Sequence, residues 1–400
     1  MKKIVSFGCR AFISICKLFV DLAFVPVLLV SVIVSRYIPK KYSIGIGPLP
    51  MINNVYWKKA LVSRGYTVET FTQDVYFITE QFDFVCTRKS NVFYYYLPVL
   101  LFIRCILRYE CIYIYFNGGP LQRDKYLKRV EPYLLKLARV KVVVMPYGSD
   151  CQIFERTPNK VTVNNLCNDY PDFFRNCHAR IVRQVDCWTR NADIVVGTMD
   201  SVDYMFFWNR IIPCHFAIDT NAIKPNECVF QKKKGDCIRI LHAPNHMSIK
   251  GTEFLEKAIR RLKNENYPIE YVRIQSRPNN EIIQAIKDAD IVVDQLVMGW
   301  YAMFAMEAMA CGKPCICYIR DDLEDLFVKV GCLEKGEIPL VSASTDSIYE
   351  VLKGLLDKPE DLELIGEKSR EYVERRQSLD VIGDFFSNIN KDIGITPTGV

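Results

Sequence analysis

The sequence predicts an α/β protein: two Rossmann-like, doubly wound domains facing a cleft, preceded by an N-terminal membrane-associated segment. Three observations lead there. Short apolar strand patterns alternate with helical ones from Tyr42 onward, and the alternation restarts at Ile238, the pattern of parallel sheets covered by helices. A chain of 400 residues exceeds the length over which one hydrophobic core keeps growing, so two domains are expected. The basic charge is gathered at one end.

Positions 1–60 hold nine lysines and arginines against the single Asp21, a local charge of +8, so with a net charge of +6 the other 340 residues carry −2. A nucleic-acid-binding body is not indicated, and the expected partner of the basic segment is an anionic membrane surface. Within it, residues 18–35 read LFVDLAFVPVLLVSVIVS, an apolar stretch of borderline spanning length broken by Asp21 and Pro26. Spanning the bilayer and lying in its interface are both open on this reading. A secretory signal is disfavoured, because Arg10 and Lys17 interrupt the upstream part and no small-x-small site follows. The 16 cysteines are scattered, Cys315 and Cys317 being the only close pair, and no spacing resembles a zinc site or a disulfide framework. The expected location is the cytoplasmic side of a membrane.

The segment 42–50 reads as a short strand entering a Gly/Pro-rich turn, 53–65 as a helix stopped by Gly65, and 68–71 as the next strand. Further strands are expected at 111–116, 140–145 and 194–197. The second half reads strand 238–243, helix 251–264, strand 269–274, helix 280–288, strand 290–294, helix 303–310 and strand 314–319. The stretch 219–235, with Pro225 and Gln231-Lys-Lys-Lys-Gly235, has no apolar periodicity and is the expected linker. The predicted organisation is therefore an anchoring segment at 1–41, domains at 42–222 and 223–378, and a C-terminal helix and tail at 379–400.

Two such sheets bind ligands in the crevice at their carboxyl ends. Gly45-Ile-Gly47-Pro-Leu-Pro50 lacks the third glycine of a dinucleotide fingerprint. It is either a simple tight turn or a loop whose backbone approaches a phosphate. Helix 303–310 starts just past a strand, aiming free N–H groups into the cleft. Glu307 is the single acid on that otherwise apolar helix: a hydrogen-bonded structural residue or, beside a nucleotide, an acceptor for both ribose hydroxyls. Lys250 opens the helix at 251–264, as a solvated cap residue or as a partner for a departing diphosphate.

With these motifs in order, the chain resembles the GT-B retaining glycosyltransferases of family 4, over residues 43–375. The strongest match is Glu307-Ala-Met-Ala-Cys-Gly-Lys-Pro314, joined by Lys250-Gly251, the glycine loop 45–54 and Tyr147-Gly-Ser-Asp150. The resemblance implies that the N-terminal domain binds the acceptor and the C-terminal domain the nucleotide sugar. Glu307 would hold the donor ribose, Lys250 the diphosphate, and the amides around Ala302, Met303 and Phe304 the phosphates. Gly45, Gly47 and Asn245 join the donor-binding set, and Tyr147 and Asp150 stand with Lys250 and Glu307 as the catalytic set. It further implies a UDP- or GDP-linked donor, no divalent metal or other cofactor, and retention of configuration with the leaving diphosphate helping to deprotonate the acceptor. Three positions depart from the family: Gly299 replaces the first acid of its Glu-x7-Glu pair, for which Asp294 or Gln295 could substitute. Tyr147 replaces a sugar-contacting histidine. Asn245, His246 and Met247 occupy the region of an arginine.

The apolar, aromatic segment 91–108 reads as buried core or as a second bilayer contact beside the anchor. On the latter reading the acceptor is a lipid-linked, polyprenyl-borne saccharide of surface polysaccharide synthesis. Two other readings stand beside it. One is a sugar-nucleotide-binding scaffold with impaired turnover, suggested by Gly299 and Tyr147. The other is a GT-B sugar-nucleotide epimerase, which would have no use for an anchor.

Overall fold

The computed structural model describes residues 2–75, 81–86, 96–226 and 232–398. Seven strands of the N-terminal half form one parallel sheet among the described residues: β1 (Tyr42–Ile46), β2 (Val68–Thr72), β3 (Phe84–Val85), β4 (Tyr109–Tyr115), β5 (Lys141–Met145), β6 (Ile194–Thr198) and β7 (Arg210–Ile212). Their order is β3-β2-β1-β4-β5-β6-β7, so the direction of strand addition, not of the chain, switches between β1 and β4. The second sheet holds β8 (Ile238–His242), β9 (Ile269–Arg273), β10 (Ile291–Val293) and β11 (Cys315–Ile316) in the order β11-β10-β8-β9, again all parallel. Near-continuous apolar runs make this possible, since strands of a parallel sheet are buried on both faces; β2, β6 and β10 have no exposed residue.

The apolar patterns locate nine of the eleven strands. The two missed, β3 and β7, are edge strands of two and three residues, too short to show periodicity. Strand 314–319 is also shorter than expected: only Cys315 and Ile316 pair as strand with β10, while Cys317 follows with its thiol buried beside Gln295. The cysteines from Cys86 to Cys332 whose side chains are described are free thiols.

Helix Leu379–Asp392, within the expected C-terminal helix and tail, packs back on the N-terminal half. Gly383 lies so close to Ala60 that a Cβ there would sit 2.7 Å from its carbonyl oxygen. Asn390 accepts from the Tyr113 hydroxyl at 2.8 Å, and Arg64 pairs with Asp380 and Asp384. One apolar cluster consequently runs through both halves, from Ile44, Trp57 and Tyr113 to Trp300, Met306 and Phe386. In the expected linker, Arg370 donates to the carbonyls of Thr220 and Ile223 at 2.7 Å each; residues 227–231 lie outside the described residues.

The N-terminal segment is a helix, Lys2–Ser35, whose stretch Lys17–Ser35 is long and apolar enough to cross a membrane. One face packs on the first domain through Leu28 and Val32, and Phe24 contacts Tyr96 with ring centroids 5.3 Å apart. Lys17 is paired with Asp21 and, at 2.6 Å, with Asp124 of the globular domain. The other face leaves Phe19, Leu22, Val30 and Ile33 exposed. Residues 91–95 lie outside the described residues. From Leu97 to Arg108 the aromatic segment is a helix with Leu101, Phe102, Cys105 and Ile106 in the core. Its Arg104 and Arg108 pair with Glu69 at 2.7 and 3.1 Å. Residues 97–108 thus follow the buried-core reading, and Arg104 and Arg108 supply the charge that almost fully buried Glu69 requires.

Candidate functional site

Glu307 lies on the second turn of helix Met303–Ala310 and is buried. Its Oε1 accepts from the Asn279 side-chain amide at 2.7 Å. Burial, opposed by that hydrogen bond and reinforced by nearby Asp294, raises its carboxyl pKa to about 7. Asn279 begins helix Asn279–Asp288 after Pro278. Together with Asn280 these two residues form one wall of a cavity of about 330 Å³. The opposite wall comes from the other domain: Ile52, Val55, Tyr56 and Lys59 of helix Ile52–Val62, with Asp219 and Ala222. Burial, then the nearby carboxylates Glu307 and Asp219, raises the Tyr56 hydroxyl to about 12. Lys59 holds Asp219 at 3.0 Å. Glu307 does not itself line this cavity at the junction of the two domains; it reaches the lining through Asn279.

Lys250 closes a single helical turn, Met247–Lys250, and Gly251 then takes φ +72° before helix Thr252–Asn264 begins. Lys250 thus immediately precedes Gly251, the residue that caps the start of the helix, as the sequence places it. It is ion-paired with Asp294, which is buried just past the carboxyl end of β10. Neighbouring His242 bridges β10 and the helix, with Nδ1 at 2.8 Å from the Val293 carbonyl and Nε2 at 2.9 Å from the Thr252 hydroxyl. Burial lowers its pKa to about 4, so it stays neutral and serves as a strut. Ala302, the residue before helix Met303–Ala310, provides no side-chain cap, which leaves the first amides of that helix without a side-chain acceptor.

Asn245 is exposed in the loop after β8. Beside it, His246 contacts Tyr170 of the N-terminal domain. Further contacts join the domains here: Asn165 donates to the Ser248 carbonyl at 3.0 Å, and Asn159 and Thr162 to that of Val297 at 2.6 and 3.2 Å.

Three expectations are corrected by packing. Gly45 lies within β1 and Gly47 follows it; a Cβ would sit 2.4 Å from the Tyr109 ring at Gly45 and 2.1 Å from the Phe71 carbonyl oxygen at Gly47. Both glycines thus make room for protein neighbours rather than for a phosphate. Asp150 is buried and its carboxylate is occupied: Oδ2 accepts from the Phe116 amide at 2.9 Å, Oδ1 from those of Tyr147 and Gly148 at 3.1 and 3.0 Å. It shapes the loop after β5, buried and bonded to three backbone amides. Gln295 cannot replace the missing first acid, since it donates to the carbonyls of Trp300 and Tyr318 and accepts from the amides of Val297 and Met298. Gly299 has φ +94°, and a Cβ there would lie 2.5 Å from the Arg320 side chain, so the position excludes an acidic side chain on two counts.

Tyr147 accepts from the Asn117 amide at 3.0 Å and meets the Tyr115 ring edge-on at 5.3 Å. The Tyr115 hydroxyl in turn donates to Asn54 at 2.7 Å. Burial raises Tyr147 to about 12, so it can exchange hydrogen bonds at neutral pH without ionising. Sequence reasoning missed Asn279, Tyr56 and Asn117. Pro278 before an Asn-Asn pair was a legible helix start, but nothing in the chain could pair Tyr56 with Glu307 across 251 positions.

Two parallel Rossmann-like sheets in one chain, meeting at a cleft with the last helix returning to the first domain, define the GT-B fold. No protein-family model matches the sequence, and no curated protein matches it. Solved structures share the architecture. HepE of Anabaena, in complex with UDP-glucose, superposes with a TM-score of 0.57 at 12% identity, covering 87% of this chain and 99% of that one. Sucrose-phosphate synthase of Thermosynechococcus elongatus gives 0.57 at 13% identity, covering 88% and 99%. An alpha-glucosyltransferase in complex with UDP and a 13-mer DNA containing a HMU base gives 0.53 at 13% identity, covering 88% and 99%.

Proposed function

We propose that the protein is a retaining glycosyltransferase acting at the cytoplasmic face of a membrane, which moves a sugar from a UDP- or GDP-linked donor to a polyprenyl-linked saccharide in surface polysaccharide synthesis. The observation that carries the reading is Glu307, a buried carboxylate just behind Asn279 of the interdomain cavity wall, with one hydrogen bond from Asn279 and none from backbone. The ribose hydroxyls would donate to it, Lys250 and the amides of 302–304 would face the diphosphate, and the acceptor would enter past Tyr147. The bond between the sugar's anomeric carbon and the diphosphate breaks while the bond to the acceptor oxygen forms on the same face. The acceptor's proton passes to the departing diphosphate. The GT-B neighbours that carry UDP or UDP-glucose support a nucleotide-sugar donor.

Thermal unfolding with UDP, GDP and their sugars tests the donor site. Ligand at a hundredfold over its Kd should stabilise the protein by roughly 2.7 kcal/mol, selectively for one base; no shift with any nucleotide would sink the reading. Affinity for the nucleotide sugar should also rise with pH through about 7, because only the ionised Glu307 accepts both hydroxyls. A flat profile in isothermal titration between pH 5.5 and 8.5 would contradict that role.

The N-terminal helix is read as lying in the interface. Leu28 and Val32 pack on the domain and Lys17 is tied to Asp124, so the helix cannot leave the domain to cross the bilayer without breaking those contacts. Its exposed apolar face, with Leu22 and Val30, would bury in the acyl boundary. Leu22→Asp/Val30→Asp should abolish sedimentation with anionic phosphatidylglycerol vesicles while leaving nucleotide binding intact; retained sedimentation would refute this placement. A donor-binding scaffold is the second reading, favoured by Gly299 and the Arg320 side chain that closes its position. Under it the donor still binds and no product forms.

A further inference from the structure

A second cavity, of about 490 Å³, lies in the N-terminal domain between the 117–131 turn region and helix Pro171–Asn191. Five cations line it: Lys125, Lys128, Arg129, Arg180 and Arg183. Among the described residues, Lys128, Arg129, Arg180 and Arg183 form no salt bridge with a carboxylate. Burial lowers the Lys128 ammonium pKa, and Arg180, Arg129 and Arg183 lower it further. The acids nearby compensate only in part: Asp124 opposes the lowering without cancelling it. Asp124 is held by Lys17. Glu131, fully buried, accepts from the amides of Leu121 and Gly119 at 2.7 and 3.1 Å, and burial raises it to about 8, so at neutral pH it presents little charge to the cavity. Lys128, Arg129, Arg180 and Arg183, crowded with no ion-pair partner of their own among the described residues, repel, and an anion placed among them would relieve the repulsion and gain charge-assisted hydrogen bonds.

Position narrows the anion's identity. Asn117 both lines this cavity and donates to the Tyr147 hydroxyl, and Gln184 donates to the Asn117 carbonyl at 2.8 Å. One wall is thus shared with the loops at the carboxyl ends of β4 and β5, on the cleft side of the sheet. On the other side, the Lys17–Asp124 pair ties the apolar N-terminal helix to the residue preceding Lys125. We propose that this cavity binds the phosphate or pyrophosphate group of the acceptor, with its sugar directed past Asn117 toward the cleft. The inference rests on the glycosyltransferase reading above and assigns the acceptor end of that reaction. A lipid-borne pyrophosphate and a soluble phosphorylated acceptor share this chemistry, and the adjoining apolar helix favours the lipid-borne form.

The test uses the full chain with two probes, farnesyl pyrophosphate in detergent and inorganic pyrophosphate. Dissociation constants are measured for the wild type, Arg180→Glu/Arg183→Glu, the milder Arg183→Gln, and Arg175→Glu on the same helix outside the cavity lining. The wild type should bind farnesyl pyrophosphate. The double variant should weaken it on the order of a hundredfold, Arg183→Gln roughly tenfold, and Arg175→Glu should stay within about threefold of wild type. Farnesyl pyrophosphate binding about tenfold tighter than pyrophosphate assigns the lipid-borne source; equal binding assigns the soluble one. Wild type that binds neither probe, or Arg183→Gln and a folded double variant that both bind as tightly as wild type, would overturn the proposal. Nucleotide-sugar binding is measured in the same samples and should be unchanged. Its absence in wild type would strike the donor reading instead, so the two failures are distinguishable.

Discussion

Glu307→Gln is expected to raise the melting temperature at pH 8.5 and to abolish nucleotide-sugar binding in the same sample. The carboxyl is buried and its pKa is raised from an ordinary 4.5 to about 7 by burial first. The folded state therefore holds this proton more tightly than the unfolded chain does. The stability linked to it is full below about pH 4.5 and is lost as pH rises through 7. Above pH 8 the ionised group costs the native state on the order of 3 kcal/mol. Glutamine carries no charge and can still accept from Asn279 through its amide oxygen, so the variant should gain a few degrees at pH 8.5 and almost nothing at pH 4.5. Binding moves the other way, because an amide oxygen is a weaker acceptor for two hydroxyls than a carboxylate. Differential scanning fluorimetry at both pH values, with and without the nucleotide sugar, reads both effects. A variant that unfolds earlier at pH 8.5, or still binds the donor as tightly, contradicts the assignment.

Lys250→Met should have the larger effect on folding. Asp294 is buried at 1% exposure and Lys250 is its ion-pair partner. Removing the ammonium leaves a charge with no counter-ion in the interior, at a cost of about 3–5 kcal/mol. Lost donor binding in that variant would be uninformative by itself. The pair Lys250→Met/Asp294→Asn removes both charges and should recover most of the stability, while the diphosphate contribution to binding stays lost. Chemical denaturation of wild type, both single variants and the double variant closes the cycle. If Lys250→Met unfolds at the wild-type denaturant concentration, the ion pair with Asp294 does not stabilise the fold. If the double variant binds the nucleotide sugar normally, Lys250 has no part in holding the diphosphate.

The legible and illegible parts of this chain differ by the range of the interaction that decides them. Strand and helix order was readable wherever an apolar run was long enough, as in β4, β5 and β8, and failed at the two-residue β3 and three-residue β7. The match around Glu307 and Lys250 pointed to two carboxyl-end segments of the second sheet, and the structure places both there. Gly45 and Gly47 were misleading because a glycine in a chain announces only that a side chain does not fit. What it must avoid, here Tyr109 and Phe71, is visible only once strands β1, β2 and β4 lie side by side. Asp150 was misleading for the same reason: whether a carboxylate faces substrate or backbone amides depends on how its own loop turns.

The sequence by itself determined the two repeated α/β halves, the reversal of charge between the first 60 residues and the rest, and the apolar N-terminal helix, because these depend on local periodicity and composition. Tertiary structure alone decided that Leu379–Asp392 returns to the first domain, that Tyr56 and Lys59 meet Asn279 across the cleft near Glu307, and that scattered Lys128, Arg129, Arg180 and Arg183 converge on one cavity. Those juxtapositions join positions far apart in the chain, and they are set by the packing of whole elements, which no local pattern encodes.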